Sequence, residues 1–216
     1  MLANKLIGLY GGAFDPVHNA HIEIAKNCVN EFGLNKLILI PTGKSAFKKS
    51  LTIEKHRIAM LKLVFNKPKY EVSEIEIKNS KNSENPSYLF DTIKFFFSRD
   101  DNSYFVIIGT DAFADIHLWY KWKEILSLCH IILINRSDTD IFSQKWHPMI
   151  KKLIDMHWTN QINNLKCSRT GFIYSVPMQK IDIASHSVKD GIRSKKDLEL
   201  MIPPEIEHYI NKYSLY

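Results

Sequence analysis

Short apolar runs alternate with amphipathic stretches along the first two thirds of the chain. In 19–32, for example, Ile22, Ala25, Val29 and Phe32 recur at helical spacing, and Gly33 follows as a C-cap. The apolar runs have the length of buried strands. The pattern predicts strands at 5–10, 36–40, 70–77, 104–108 and 131–134, and helices at 19–32, 52–65, 87–98 and 116–128.

This alternation of strands and helices predicts an α/β fold of the Rossmann-like, doubly wound type. A parallel sheet would carry helices on both faces, with ligands beyond the carboxyl ends of its strands. We expect a single domain over 1–216, with the core sheet in 1–136. The remainder, 137–216, would hold the last strand at 172–176 and a small helical part that ends in a helix starting near Pro203.

Composition narrows the class without naming an activity. The chain has 216 residues, 45% of them hydrophobic, and no apolar run long enough to span a membrane. Three scattered cysteines and the absence of a signal peptide predict a cytoplasmic protein. The net charge of +6 leaves two interpretations open, a surface for polyanions or a lysine-rich solvated surface.

The strongest chemical signal is the segment from Gly11 to His21, between the first strand and the first helix. Two glycines after a strand let the backbone approach a ligand, and their N–H groups can face an anion. The helix start adds further N–H groups and the positive end of a dipole. His18 and His21 are three residues apart and can donate to phosphate oxygens on which charge grows during phosphoryl transfer.

Two other interpretations of the histidines are weaker. Isolated, a His-x-x-His pair is more often an ordinary surface feature, but its place after strand-Gly-Gly and before a helix favours function. A zinc site would need further ligands, and the cysteines form no matching cluster.

The segment Gly-Gly-x-Phe-Asp-Pro-x-His-x-x-His resembles the signature of the nucleotidylyltransferase superfamily. Within it, the chain resembles the bacterial nicotinate-nucleotide adenylyltransferases of NAD synthesis over nearly its whole length. The further motifs that carry this resemblance are Asn85-Pro86-Ser87-Tyr88 with Asp91-Thr92, Gly109-Thr110-Asp111, Trp119-Tyr120-Lys121-Trp122, Arg136 and the end from Tyr209-Ile210 to Leu215-Tyr216.

The resemblance implies adenylyl transfer from ATP to nicotinate mononucleotide, with Mg²⁺ accompanying ATP and no nucleic acid or membrane as partner. The residues that it implies for the reacting phosphates are His18, His21, Lys48 and Lys189. Those that it implies for ATP are Gly11, Gly12, Ala13, Phe14, Gly109, Asp111 and Ser185. Those that it implies for the nicotinate nucleotide are Asp15, Tyr88, Leu89, Trp119, Tyr120 and Arg136.

Several of these assignments have alternatives. Asp111 would meet the ribose, or it would only cap the next helix. Trp119 would stack on the pyridine ring, or it would be a core tryptophan, since Tyr120 and Trp122 compete for the inward direction. Arg136 would meet a phosphate or form a surface salt bridge.

Two regions depart from the family pattern. In the loop after the second strand, Phe47 stands where relatives have histidine, while Lys48 keeps the charge. Near the C-terminus, the family's Ile-Ser-x-Thr-x-Ile-Arg corresponds here to Ile183-Ala184-Ser185-His186-Ser187-Val188-Lys189. A lysine lacks the bidentate fork of arginine, and Arg193 is a rival cation one turn further on.

Other classes of function compete with this one. A transferase for another phosphate compound would share the first motif but not the Trp119 and Ser87 regions. A non-catalytic nucleotide-binding relative would fit the altered segment 183–189, although His18 and His21 are intact. A nucleic-acid-binding protein would fit the charge, but the lysines follow no RNA-binding motif.

Overall fold

The computed structural model describes residues 4–44, 51–81, 86–135, 141–177 and 183–216. Its strands are β1 Leu6–Gly12, β2 Lys36–Pro41, β3 Tyr70–Val72, β4 Ser103–Gly109, β5 His130–Asn135 and β6 Ile173–Pro177. Its helices are α1 Asn19–Phe32, α2 Glu54–Val64, α3 Ile75–Lys81, α4 Leu89–Phe97, α5 Thr110–Phe113, α6 Pro148–His157, α7 Ile162–Cys167, α8 Ser185–Arg193 and α9 Pro204–Lys212. Short 3₁₀ turns occupy Ile116–Leu118, Trp122–Ser127 and Ile141–Ser143.

The strands form one six-stranded parallel sheet in the order β3-β2-β1-β4-β5-β6. β4 and β5 run in register, with Val106 opposite Ile131 and Ile107 opposite Ile132. Every residue of β5 is buried, as expected for a strand covered on both faces. The predicted α/β fold with a parallel sheet and flanking helices is confirmed.

The chain divides into two compact units. The first comprises 1–10, 28–37 and 88–180, and the second comprises 11–27, 38–87 and 181–216. In the first unit, Phe32 at the end of α1 packs against Phe105 of β4 and Tyr174 of β6. In the second unit, α2 packs on α9, and His56 bonds the Tyr209 hydroxyl at 3.0 Å.

Two predicted elements are wrong in part. The strand predicted for 70–77 ends at Val72, and α3 begins at Ile75. The helix predicted for 116–128 is instead two 3₁₀ turns, because Trp119 is extended and Lys121 adopts a left-handed backbone with φ 52°. By contrast, α1 has the predicted bounds, and Gly33 after it has φ 63°, as a helix C-cap requires.

Candidate active site

The turn after β1 is closed by the ring of Phe14. This residue has a left-handed φ of 47°, which costs a β-carbon-bearing residue roughly 1–3 kcal/mol, and burial of its ring offsets that cost. A β-carbon on Gly12 would lie 3.1 Å from the Phe14 ring, whereas one on Gly11 would meet nothing within 4 Å. A ligand therefore has room to approach the backbone at Gly11, whereas the Phe14 ring occupies the space beside Gly12.

His18 and His21 lie together where α1 begins. Their rings stack with centroids 3.7 Å apart, and the Phe14 ring meets His21 edge-on at 4.9 Å. The His18 backbone N–H donates to His21 Nδ1 at 3.3 Å. Because Nδ1 accepts, a neutral His21 carries its proton on Nε2, where it is a donor. His18 is buried and His21 is half-buried.

The start of α1 differs from the expectation in one respect. The helix start is expected to offer N–H groups to an anion, but the Asn19 N–H donates to the Met201 carbonyl at 2.9 Å, and the Asn19 side chain donates to the Leu200 carbonyl at 3.0 Å. Residues just before α9 thus occupy one helix-start donor. Local sequence patterns do not reveal this contact, because it joins segments far apart in the chain.

Asp15 is a buried carboxylate with three donors around it. Lys189 Nζ donates to Oδ2 at 2.6 Å, the Tyr216 hydroxyl donates to Oδ1 at 2.7 Å, and the Thr52 N–H lies 3.3 Å from Oδ2. Burial raises the pKa of Asp15, but the hydrogen bonds from these donors and the charge of Lys189 more than offset it, so the pKa lies below its ordinary value. Asp15 is therefore a carboxylate at neutral pH.

Arg57 is a buried cation beside the candidate site that the sequence analysis missed. Its buried guanidinium donates to three backbone carbonyls, those of Thr52, Ala13 and Thr42, at 2.8–2.9 Å. It joins the turn after β1 to the loop after β2 and to the segment before α2. Burial lowers the pKa of Arg57, and the negative charge of Asp15 opposes that shift. The helix predicted to begin at Thr52 begins instead at Glu54, with Ile53 as its N-cap.

The first turn of α8 lies against the turn that follows β1. Ser185 Oγ donates to the Pro16 carbonyl at 3.1 Å, one residue from the carboxylate that Lys189 contacts. α8 begins at Ser185, and Ala184 is its N-cap. The structure therefore places Ser185 and Lys189 beside the turn that carries His18.

In the first unit, β4 ends at Gly109, which is the N-cap of α5. Any side chain at Gly109 would overlap the Asp111 carboxylate, so the glycine leaves room for that group. Asp111 lies in the first turn of α5 and is exposed. The alternative role as a helix cap is thus wrong, and Asp111 remains available to a ligand.

Four of the residues predicted for the nicotinate nucleotide lie in two short segments of the first unit, whereas Asp15 belongs to the second unit. Tyr88 is the N-cap of α4, and Leu89 is its first residue. The ring of Tyr88 lies 4.9 Å from that of Tyr120, whose side chain is largely exposed. Trp119 is half-buried and ends a 3₁₀ turn.

Two predicted site residues, Lys48 and Arg136, lie outside the described residues, as does Phe47. Across the parts of the chain that the structure describes, no three His, Cys, Asp or Glu side chains converge as a metal site. No helix in these same parts is long and apolar enough to cross a membrane.

The parallel sheet and the Gly-Gly to His-x-x-His turn define a nucleotidyltransferase. Residues 9–184 match the model of the cytidylyltransferase-like family. The probable nicotinate-nucleotide adenylyltransferase of Carboxydothermus hydrogenoformans is 33% identical over the full length of both chains. That of Vesicomyosocius okutanii is 31% identical over 96% of this chain and 94% of its own. The chain belongs to the nicotinate-nucleotide adenylyltransferase family, within the cytidylyltransferase-like proteins.

A solved structure confirms the fold independently. Nicotinic acid mononucleotide adenylyltransferase from Plasmodium falciparum, complexed with NaAD, aligns with a TM-score of 0.74 at 21% identity. The alignment covers 99% of this chain and 98% of the other.

Proposed function

We propose that the chain transfers the adenylyl group of ATP to nicotinate mononucleotide, forming the deamido dinucleotide of NAD synthesis and pyrophosphate. The observation that carries this proposal is the stacked His18–His21 pair at the start of α1, beside the open turn at Gly11. The names of the relatives over the full chain length support the same activity.

The reaction needs no protein nucleophile. An ionised phosphate oxygen of the mononucleotide attacks the α-phosphorus of ATP, and the bond from that phosphorus to the oxygen bridging to the β-phosphate breaks. The electron pair leaves with pyrophosphate. Catalysis is then positioning and charge stabilisation, to which the Nε2–H of His21 contributes as a donor to the developing charge.

The remaining site residues supply binding. Gly11 leaves space for a phosphate to approach the backbone, and Gly12, Ala13 and Phe14 shape the turn beneath it. The family pattern supports a cation from Lys48 on the phosphates and contact of Asp111 with the ribose hydroxyls.

For the nicotinate moiety, we propose stacking of Trp119 on the pyridine ring. Tyr88 and Leu89 would offer backbone N–H groups at the start of α4, where helix geometry leaves the first donors without intrahelical acceptors. Tyr120, which packs on Tyr88, would hold the start of α4 in place. Arg136 would bind the mononucleotide phosphate as a fork of donors.

The donors at the start of α4 also favour the acid over the amide. A carboxylate only accepts hydrogen bonds, whereas an amide also needs acceptors for its NH₂ group. The Ser87 N–H already donates to the Lys44 carbonyl at 3.1 Å, so the donors expected to serve are those of Tyr88 and Leu89. An unpaired amide NH₂ would cost roughly 1–3 kcal/mol, or about 10–100-fold in kcat/KM.

The family uses ATP, and we propose Mg²⁺ as the accompanying metal. Mg²⁺ prefers phosphate oxygens and water, and it would neutralise charge on the triphosphate. The buried Asp15 carboxylate is already paired with Lys189, so it is not a free ligand for a metal. This pairing fits a metal that arrives bound to ATP.

We further propose that residues 1–216 act as one functional domain. We also propose that the protein is cytoplasmic, in keeping with its free cysteines.

The test is release of pyrophosphate from ATP and Mg²⁺ with each pyridine mononucleotide in turn. We expect pyrophosphate release that depends on added mononucleotide. With the amide in place of nicotinate mononucleotide, kcat/KM should fall about 10–100-fold. A folded protein that binds ATP but turns over neither mononucleotide would support the non-catalytic alternative. Turnover with a different phosphate compound alone would support the other transferase.

A further inference from the structure

The two oxygens of the Asp15 carboxylate have different partners. Oδ2 accepts from Lys189 Nζ at 2.6 Å, and Oδ1 accepts from the Tyr216 hydroxyl at 2.7 Å. Because the carboxylate is 2% exposed, water cannot replace either donor without a rearrangement. Tyr216 therefore supplies a hydrogen bond to Asp15 that does not depend on Lys189.

Tyr216 also contacts the lysine itself. Lys189 Nζ lies 4.8 Å from the centroid of the Tyr216 ring, a cation–π distance. The lysine side chain is 23% exposed, so it is partly shielded from water. The Arg193 Nε lies 3.4 Å from the Tyr216 carbonyl and ties this residue to the end of α8.

A second cation stands near the same carboxylate. The buried Arg57 interacts electrostatically with Asp15, while its own hydrogen bonds go to backbone carbonyls. Asp15 therefore stays compensated by Arg57, by the Tyr216 hydroxyl and by the Thr52 N–H if the lysine turns away. A buried carboxylate with no remaining donors would hold its lysine tightly.

We propose that Tyr216 is a positioning residue that keeps Asp15 hydrogen-bonded while Lys189 exchanges this carboxylate for a phosphate of ATP. The exchange uses the flexible four-carbon side chain of lysine, whose ammonium is a point charge without a fixed geometry. Asp15 and the triphosphate compete for one cation, and the phenol lowers the cost of releasing it. This inference rests on the proposed use of ATP.

Two substitutions have different predicted effects on ATP binding. Tyr216→Phe keeps the ring and removes the hydroxyl, so Asp15 retains Lys189 more strongly and ATP binding weakens. Asp15→Asn removes the competing charge while keeping a side-chain acceptor, so ATP binding does not weaken. A carboxylate that instead aimed Lys189 at ATP would give the opposite result for Asp15→Asn.

The experiment is calorimetric titration of the full chain with ATP, alongside steady-state kinetics. For Tyr216→Phe we expect the Kd and KM of ATP to rise about tenfold, the loss typical of one hydrogen bond to a charged group, with kcat and the KM of the mononucleotide little changed. In a Lys189→Ala background the same substitution should have no further effect. Tyr213→Phe is the matched control, since Tyr213 is exposed and contacts His56 and Tyr209 instead.

An unchanged ATP Kd in Tyr216→Phe, or an equal loss in the Lys189→Ala background, would overturn the proposal. If thermal melting shows that Tyr216→Phe is unfolded, Asp15→Asn decides, and a weakening of ATP binding by tenfold or more sinks the idea. The calorimetric comparison does not require turnover. Failure of the proposed function, seen as wild-type ATP binding without product, is thus distinct from failure of this inference.

Discussion

The ring of His21 lies on the ring of His18, with centroids 3.7 Å apart, while His21 Nδ1 accepts the His18 backbone N–H. This hydrogen bond places the proton of neutral His21 on Nε2. The donor is thus oriented before any substrate binds, which is the condition under which a single hydrogen bond accelerates phosphoryl transfer strongly.

Replacing His21 with alanine should reduce kcat by roughly 10²–10³, the usual effect of removing one preorganised donor to developing charge. Stability should change little, because the side chain is only half-buried. Steady-state pyrophosphate release measures the effect, and His208→Ala on the exposed face of α9 is the control. A His21→Ala enzyme with a near-normal rate would remove the role assigned to the pair.

Arg57→Met should lower the free energy of unfolding by about 3–5 kcal/mol, because it removes a buried guanidinium that donates to three part-buried carbonyls and stands as a cation near Asp15. Urea unfolding measures this directly. Lys55→Met, at an exposed position of the same helix, should stay within about 0.5 kcal/mol of wild type. A loss below about 1 kcal/mol for Arg57→Met would show that the guanidinium does not hold the two loops together.

Because of Asp15, the free energy of unfolding should depend on pH in the acid range. Burial raises its pKa, but the hydrogen bonds from Lys189, Thr52 and Tyr216 lower it by more, so the folded pKa lies below the ordinary value of 3.8. A depressed pKa means that the stabilisation is complete above the unfolded value and is lost as pH falls through the folded one. Urea unfolding between about pH 3 and pH 6 should show this loss, and Asp15→Asn should show a shallower one. Parallel curves for the two proteins would contradict the assignment.

Lys189→Ala should lower kcat/KM for ATP by an amount equivalent to about 1.5–3 kcal/mol of transition-state stabilisation, as expected for one charged hydrogen bond. The KM of the mononucleotide should change less. Lys189→Arg should retain activity, because its fork suits phosphate geometry. Arg193→Ala is the comparison, since Arg193 is exposed and pairs with Asp190 at 3.5 Å. If kcat/KM for ATP were unchanged in Lys189→Ala but strongly reduced in Arg193→Ala, the alignment of α8 with the family motif would be wrong.

The sequence predicted those parts of the fold that local pattern determines. The bounds of α1 followed from one apolar face and a glycine with the required left-handed backbone, and the strands β4 and β5 followed from continuous apolar runs. The segment 116–128 failed because Trp119 and Lys121 leave helical geometry, which residue periodicity does not reveal. The strand predicted for 70–77 failed because its alternation breaks between Val72 and Ile75, whose spacing of three suits a helix and not one face of a strand.

The site was predictable at the motifs but not at their supports. His18 and His21 were visible because they share one short segment. Arg57 looks from the sequence like a solvated charge on α2, and only the tertiary fold turns it toward Ala13 and Thr42. The contacts of Asp15 join residues from the two ends of the chain, so no local pattern shows them.

The most direct test of the central claim follows the adenylyl group itself. The protein is incubated with Mg²⁺, nicotinate mononucleotide and ATP labelled at either the α- or the γ-phosphate, and the products are separated. The account predicts that the α-label appears in the deamido dinucleotide and the γ-label in pyrophosphate, both in wild type and, far more slowly, in His21→Ala. An α-label that remains in ATP, or that leaves as AMP without dinucleotide, would contradict adenylyl transfer to this acceptor.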